Sequence, residues 1–489
     1  MVNSGRESAR QKFIEDFPTF SGTVALDGLR ARGYSRLDEQ GHVYLDYTGG
    51  GLYDVEQVRS HAEMLESTVL GNPHSTNPTS DASGRLIDEL RTSVLEFFNA
   101  DPDEYVAIFT ANATGAIKLV GEAYPFAPGD KYLLTFDNHN SVNGIREFAR
   151  AKGAEITYVP VVPPELRLEE AFLREQLTAT STAEHKLFAY PAQSNMSGVQ
   201  HPLEWINLAR ENGWNTLLDA AAFVPTNGLD LSVWKPDFVP LSFYKMFGYP
   251  TGIGALIARR EALEKLDRPW FAGGTITISS VQAERHYMAE GEAAFEEGTP
   301  NYALLPAVII GLDHLREVGQ GMIHDRVGAL TGWLLDQLTM MRHKNGSHLV
   351  RIYGPINTEA RGGTIALNFY DPDGRLIDHR AVEALANRRM ISLRTGCFCN
   401  PGAGEIAHGL TEAELAPAFA DQERMTFEQF LEALERDGDK SAGSVRVSLG
   451  IVSTFDDAFA FTDFARSFLD QPAPRTPEST VTGEDAIES

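Results

Sequence analysis

From residue 106 to residue 258, short apolar runs alternate with helical segments, and this rhythm constrains the fold more than any other feature of the chain. Residues 106–109 read as a strand and 116–124 as a helix. Strands at 132–136, 156–162, 187–190, 216–218, 238–241 and 255–258 follow, with helices such as 142–152 and 202–212 in the gaps. Parallel strands need a crossover, usually helical, so the alternation predicts an α/β unit with a largely parallel sheet. Ligands on such a sheet bind beyond the carboxyl ends of its strands. Past about residue 300 the pattern changes. A helical stretch, 304–341, leads into short strands at 350–353, 363–369 and 446–450, a smaller α+β unit. The expected division is an N-terminal arm (1–45), a large unit (46–303), a smaller unit carrying both cysteines (304–469) and a tail (470–489). The tail is proline-rich and acidic with little to bury, so disorder is expected.

The 489 residues suit two or three packed units rather than one core. A net charge of −26 argues against nucleic acid and anionic membrane as partners, so any anion site must be local. Only Cys397 and Cys399 are present, which rules out a disulfide framework and fits a reducing compartment. No signal-peptide pattern opens the chain, and the longest apolar run, about 303–312, is too short to span a bilayer. A cytoplasmic location is the expectation.

Chemistry-bearing residues recur where strands end. Lys245 follows the apolar run 238–243 and enters a turn marked by Gly248, Gly252 and Gly254. A lysine desolvated there has a depressed pKa and a nucleophilic neutral amine, which forms Schiff bases with carbonyls. The plainer reading is a strand-end lysine that reaches solvent. Thr114 and Gly115 open a helix, where a hydroxyl and free amides either cradle a phosphate or simply cap the helix. His139 could stack on an aromatic cofactor or close a loop. Asn195 lies in a polar loop that could hold a ring oxygen. Asp219 ends a strand among alanines, where a carboxylate needs a cationic or N–H partner, and a pyridinium nitrogen is one such partner. Each feature alone is weak; in this order, each at a strand end, they are specific. The triplet Gly49–Gly51 marks a place where backbone passes close to something.

The chain resembles the class V, fold-type I pyridoxal phosphate enzymes, within them the cysteine desulfurase group. It is most similar to the N-terminal desulfurase domain of the eukaryotic molybdenum cofactor sulfurases. Five segments carry the resemblance: Gly71-Asn-Pro-His-Ser, Asn138-His-Asn-Ser-Val, Pro191-Ala-Gln-Ser-Asn-Met-Ser-Gly, Phe238-Val-Pro-Leu-Ser-Phe-Tyr-Lys and Arg394-Thr-Gly-Cys-Phe-Cys-Asn-Pro-Gly-Ala. The resemblance implies pyridoxal 5′-phosphate held covalently by Lys245, with Asp219 at its ring nitrogen, His139 against its ring and Asn195 near its ring oxygen. It also implies Thr114 and Ser242 as phosphate ligands, Thr299 reaching the phosphate across a homodimer interface, and Arg394 and Arg446 meeting the substrate carboxylate. Cys399 takes the place of the cysteine that carries a persulfide, and no metal site is expected. The glycines around the two cysteines suggest an exposed, mobile loop.

Three departures stand out. Tyr244 precedes the lysine where many desulfurases have histidine, Ala222 replaces a glutamine over the cofactor, and Gly404 stands where the molybdenum cofactor sulfurases typically have a third cysteine. A C-terminal molybdenum cofactor-binding domain is not expected. The implied reaction converts L-cysteine to L-alanine and an enzyme-bound persulfide, with the sulfur acceptor unknown. Alternatives are cysteine sulfinate desulfination, β-eliminating C–S lyase chemistry or decarboxylative condensation, and, from another class, a non-catalytic scaffold. The intact lysine, aspartate and histidine set argues against the last.

Overall fold

The computed structural model describes residues 2–420, 424–438 and 442–474. Most of the expected tail, 475–489, lies outside the described residues. Seven strands form the main sheet: β1 (Tyr105–Thr110), β2 (Lys131–Thr135), β3 (Glu155–Val159), β4 (Lys186–Pro191), β5 (Asn215–Asp219), β6 (Phe238–Ser242) and β7 (Gly254–Arg259). Their spatial order is β1-β7-β6-β5-β4-β2-β3. Pairs β6–β5, β5–β4, β4–β2 and β2–β3 are parallel, while β7 runs antiparallel to both neighbours. The inner strands read as largely apolar runs because both faces are covered, while the edge strand β3 is half-exposed. Successive residues serve opposite faces: Leu133 packs into one core, Tyr132 and Leu134 into the other.

A second, antiparallel sheet holds β8 (Val350–Tyr353), β9 (Thr364–Tyr370), β10 (Arg394–Gly396) and β11 (Ser444–Ser448), in the order β8-β9-β11-β10. The long helical stretch is two helices, Pro306–Val318 and Gln320–Met340, broken at Gly319 with φ +83°. The N-terminal arm is helical, and after it Val43–Tyr44 pairs with Ile391–Ser392 beside the second sheet. Ser448 N–H donates to Leu45 O at 2.7 Å, which brings Asp46 against β10 and β11.

A hairpin, Ile276–Ser280 with Arg285–Met288, has no counterpart in the sequence reading; Val281 at its tip is 94% exposed. The cysteine segment also differs from expectation. Gly396 ends a strand, while Gly402 and Gly404 are buried inside helix α4 (Pro401–His408). What looked like a flexible glycine loop is a strand, a tight turn and a helix. Gly402 serves close packing, since a Cβ there would run into the carbonyl of Phe136, whereas a Cβ on Gly404 would meet open space.

Candidate active site

Helices α1 (Ala113–Ala123), α2 (Asn140–Asn143) and α3 (Phe243–Phe247) begin just past β1, β2 and β6. With the ends of β4 and β5 they surround a cavity of about 300 Å3. Thr114, His139, Asn195, Asp219, Ser242 and Lys245 all line it. Six residues spread over 132 positions of sequence therefore converge, as strand-end placement requires.

Lys245 sits in α3, whose short course ends at Gly248 with φ +80°. A side chain there would run into the backbone of Leu52 and Tyr53. The glycine triplet explains itself at this point: Gly51 N–H donates to Tyr244 O at 3.0 Å, and a Cβ on Gly51 would stand 2.9 Å from the Lys245 carbonyl oxygen. Burial pushes the Lys245 amine below its ordinary pKa; Asp219 opposes the shift, and Arg446 and Arg394 reinforce it. Asp219 closes β5, is buried, and accepts the Ala221 N–H at 3.0 Å. His139 is held below its ordinary pKa by burial, with Asp219 opposing and Lys245 and Arg446 reinforcing. Its Nδ1 accepts the Ser141 N–H at 3.1 Å, so the neutral ring carries its proton on Nε2. The hydroxyls of Thr114 and Ser141 lie 2.8 Å apart, and Ser242 Oγ accepts the Ala113 N–H at 2.9 Å.

Gly115 and Thr299 stand elsewhere. Both line a neighbouring cleft. Gly115 N–H donates to the capping Asn112 side chain at 3.0 Å, and Thr299 accepts from Asn72 at 3.2 Å. Arg394, Arg446 and Cys399 do not line the cavity; they stand on the second-sheet side, with Arg446 and the Cys399 turn tied to the cavity through its lining residue Asn195. Arg446 on β11 is 2% exposed; it donates to Asn195 O and Asp46 Oδ1, both at 3.0 Å, and its guanidinium lies 4.9 Å from the Phe398 ring centroid. Arg394 on β10 donates to Asp46 Oδ2 through Nε at 3.0 Å and Nη2 at 2.7 Å.

Cys399 is exposed at the apex of its turn, and both it and Phe398 have positive φ, +51° and +56°. Non-glycine residues hold such conformations only when their surroundings over-determine them. Three anchors do so here. Asn140 N–H donates to Cys399 O at 2.7 Å, Asn195 Nδ2 to Phe398 O at 2.8 Å, and Asn400 Nδ2 to both Asp137 O and Asn195 Oδ1, at 2.7 and 2.8 Å. Cys399 lies within electrostatic range of Lys245 and Arg446. Asp46 and Asn400 were not singled out from sequence; an aspartate before a glycine triplet and an asparagine before Pro401 look like ordinary turn and cap chemistry.

The fold and this strand-end site define the chain's class. Residues 43–461 match the aminotransferase class-V family, and the chain belongs to it. It is an enzyme of a pyridoxal phosphate-dependent family, and its cofactor is pyridoxal phosphate. Among relatives, it is 34% identical over 500 residues to a molybdenum cofactor sulfurase of Solanum lycopersicum, covering 94% of this chain and 60% of that one. It is also 34% identical over 490 residues to the molybdenum cofactor sulfurase of Homo sapiens, covering 94% and 54%. The chain thus spans between about half and three fifths of the length of these relatives. In fold it is similar to a cysteine desulfurase of Thermococcus onnurineus, with TM-score 0.73, 22% identity, and coverage of 90% of this chain and 97% of that one. A cysteine desulfurase of Escherichia coli superposes with TM-score 0.69 and 20% identity, covering 91% and 99%. Among the described residues no helix is long and apolar enough to cross a membrane, and no cluster of side chains suits a metal ion.

Proposed function

We propose that this protein is a cysteine desulfurase, converting L-cysteine to L-alanine and leaving the sulfur as a persulfide on Cys399. The observation that carries the reading is the placement of Cys399. Its turn packs Phe398 against Arg446 and hangs from Asn195, a cavity-lining residue that Arg446 also bonds, so the cysteine turn, the arginine and the cavity wall are joined at one asparagine.

The residues present fit pyridoxal phosphate. A partly enclosed lysine with a depressed pKa suits covalent attachment. Buried Asp219 suits a cationic ring nitrogen, and His139 suits the ring face. Thr114, at the start of α1, and Ser242, which ends β6 and accepts from Ala113 N–H there, suit the phosphate. One N–H of the Asn195 amide goes to Phe398 O, which leaves the other for a ring oxygen. When bound, the cofactor supplies an electron sink that allows bonds at the substrate's α-carbon to be broken.

This chain's own groups do the rest. Arg446 and Arg394 bind the substrate carboxylate. Lys245, with a pKa lowered toward the working range, moves the α-proton. The Cys399 thiolate attacks the substrate sulfur. The C–S electron pair goes to the β-carbon, which takes up a proton and leaves as the methyl group of alanine. Thr299, away from the cavity of its own chain, fits a role at a homodimer interface, where it would reach the phosphate of the other copy. A sulfur acceptor then removes the terminal sulfur from exposed Cys399.

The test is incubation with L-cysteine, with cysteine sulfinate as rival substrate. Alanine in step with a sulfur atom added to Cys399, read by peptide mass, is the expected result. Pyruvate with ammonia, or alanine formed from cysteine sulfinate alone, would replace this reading with lyase or desulfinase chemistry on the same fold.

A further inference from the structure

Asp46 is the side chain around which the two carboxylate-binding arginines are built. Arg394 and Arg446 are directly paired across β10 and β11, so their side chains leave the same face of the sheet. Two guanidiniums so close repel each other, and Asp46 lies between them. One of its oxygens accepts from Arg446 at 3.0 Å, the other from Arg394 at 2.7 Å. Asp46 is 9% exposed and fixed by its backbone: a bridge pairs it with Ser448, and its carbonyl accepts from Gly49 and Gly50 at 3.0 and 3.1 Å. The turn closes tightly over the cluster. A Cβ on Gly49 would stand 2.5 Å from Asp46 Oδ2 and 2.7 Å from Arg394 Nη2. Arg446 keeps one buried donor, Nε–H, without a partner among the described residues.

Two arginines and one aspartate leave a single net positive charge, which matches one carboxylate. We propose that Asp46 is the positioning residue that sets the charge specificity of this site. It cancels one arginine, so the site takes amino acids with a single acidic group and disfavours those with a second one on the β-carbon, whether carboxylate or sulfinate. This rests on the reading of Arg394 and Arg446 as carboxylate ligands. Asp46→Asn keeps the shape and removes the charge, leaving two positive charges for the ligand to satisfy. Gly49→Ala loosens the same ion pair by another route, because the added methyl crowds both Asp46 Oδ2 and Arg394 Nη2 and parts them.

The experiment uses the cofactor-loaded protein and reads dissociation constants from the absorbance of the bound cofactor. The probes are L-alanine, with one acidic group, and L-aspartate, with two. In Asp46→Asn the preference for aspartate over alanine is expected to rise by about tenfold, as for a desolvated charge pair. Gly49→Ala is expected to shift it the same way. A role in folding alone would weaken both ligands equally and leave their ratio unchanged. An unchanged or falling ratio overturns the proposal, and if Asp46→Asn does not fold, Gly49→Ala decides. Failure of the desulfurase reading looks different: the wild-type protein would make no alanine from cysteine while the binding ratio stayed measurable. Unaltered binding of both probes by Arg446→Lys would remove the carboxylate reading and this inference together.

Discussion

Arg394 and Arg446 stand directly opposite each other on paired antiparallel strands, and both guanidiniums close on the carboxylate of Asp46. Their surroundings differ. Arg446 is buried, with its head group packed on Phe398 and bonded to Asn195, whereas half of the Arg394 side chain is exposed. Burial lowers the pKa of Arg446, while the hydrogen bonds to Asp46 raise that of Arg394. In the proposed carboxylate site, Arg446 is therefore the fixed wall and Arg394 the adjustable outer jaw.

Arg446→Lys is expected to cost roughly 2–5 kcal/mol of productive binding for cysteine, because a lysine cannot donate two parallel bonds from a stacked, planar head. Arg394→Lys is expected to cost less, because the exposed head is screened by solvent. Steady-state kinetics checks both, and unchanged kinetics for cysteine in Arg446→Lys would end the carboxylate assignment.

Lys245→Ala is expected to be colourless and to lose turnover by at least about 10²–10⁴-fold, the range for a positioned proton-transfer group. Borohydride treatment of the wild-type protein is expected to fix the cofactor's mass to the peptide containing Lys245. Turnover that survives in the variant would mean that another group holds the cofactor.

How far the sequence reaches depends on the kind of contact. The main sheet was legible because its strands, apart from the half-exposed edge strand β3, are buried on both faces and read as apolar runs, and Lys245, Asp219, His139, Thr114, Ser242 and Asn195 converge because strand ends converge. Asp46 was not legible. Its partners lie 348 and 400 residues away, and the pairing of Val43–Tyr44 with Ile391–Ser392, together with the Asp46–Ser448 bridge, brings them together. The cysteine segment was misread for a related reason. Its glycines resemble a flexible linker, but local composition does not reveal that Phe136 packs against Gly402 or that Asn195 holds Phe398.

His408, in the last turn of α4, is pushed down to about 4 by burial, with His379 and Arg351 adding to the effect. Its ring contacts Ser444 Oγ at 3.0 Å. The unfolded chain protonates this histidine near pH 6.5 and the folded one does not, so stability is lost as pH falls from 6.5 toward 4 and levels off below. At pH 5 this one group is expected to cost about 2 kcal/mol relative to pH 7.5. Denaturant titrations of wild type and His408→Gln at the two pH values check it. The variant should lose less stability on acidification, and an identical loss would place the acid sensitivity elsewhere.

Cys399, not Cys397, is expected to carry the persulfide. Cys399 is the exposed one, at the apex of a turn whose two left-handed residues are held by Asn140, Asn195 and Asn400. Its thiol can face substrate and then an acceptor without the segment unfolding. The carbonyl of Cys397 accepts from the Asn400 N–H at 3.1 Å, which places Cys397 at the base of the turn. Peptide mass after incubation with cysteine should give an added sulfur in Cys397→Ser and none in Cys399→Ser. Asn400→Ala separates geometry from chemistry. It removes a fully buried side chain, the cap of α4 and the bonds to Asp137 and to the cavity-lining Asn195, at a helix-capping cost of about 1 kcal/mol in addition to the lost anchors. It should retain the cofactor colour yet form persulfide slowly, because the thiol is no longer aimed. Undiminished alanine production in Cys399→Ser would remove the thiol from the reaction, and full persulfide formation in Asn400→Ala would mean that the turn's rigidity plays no part in it.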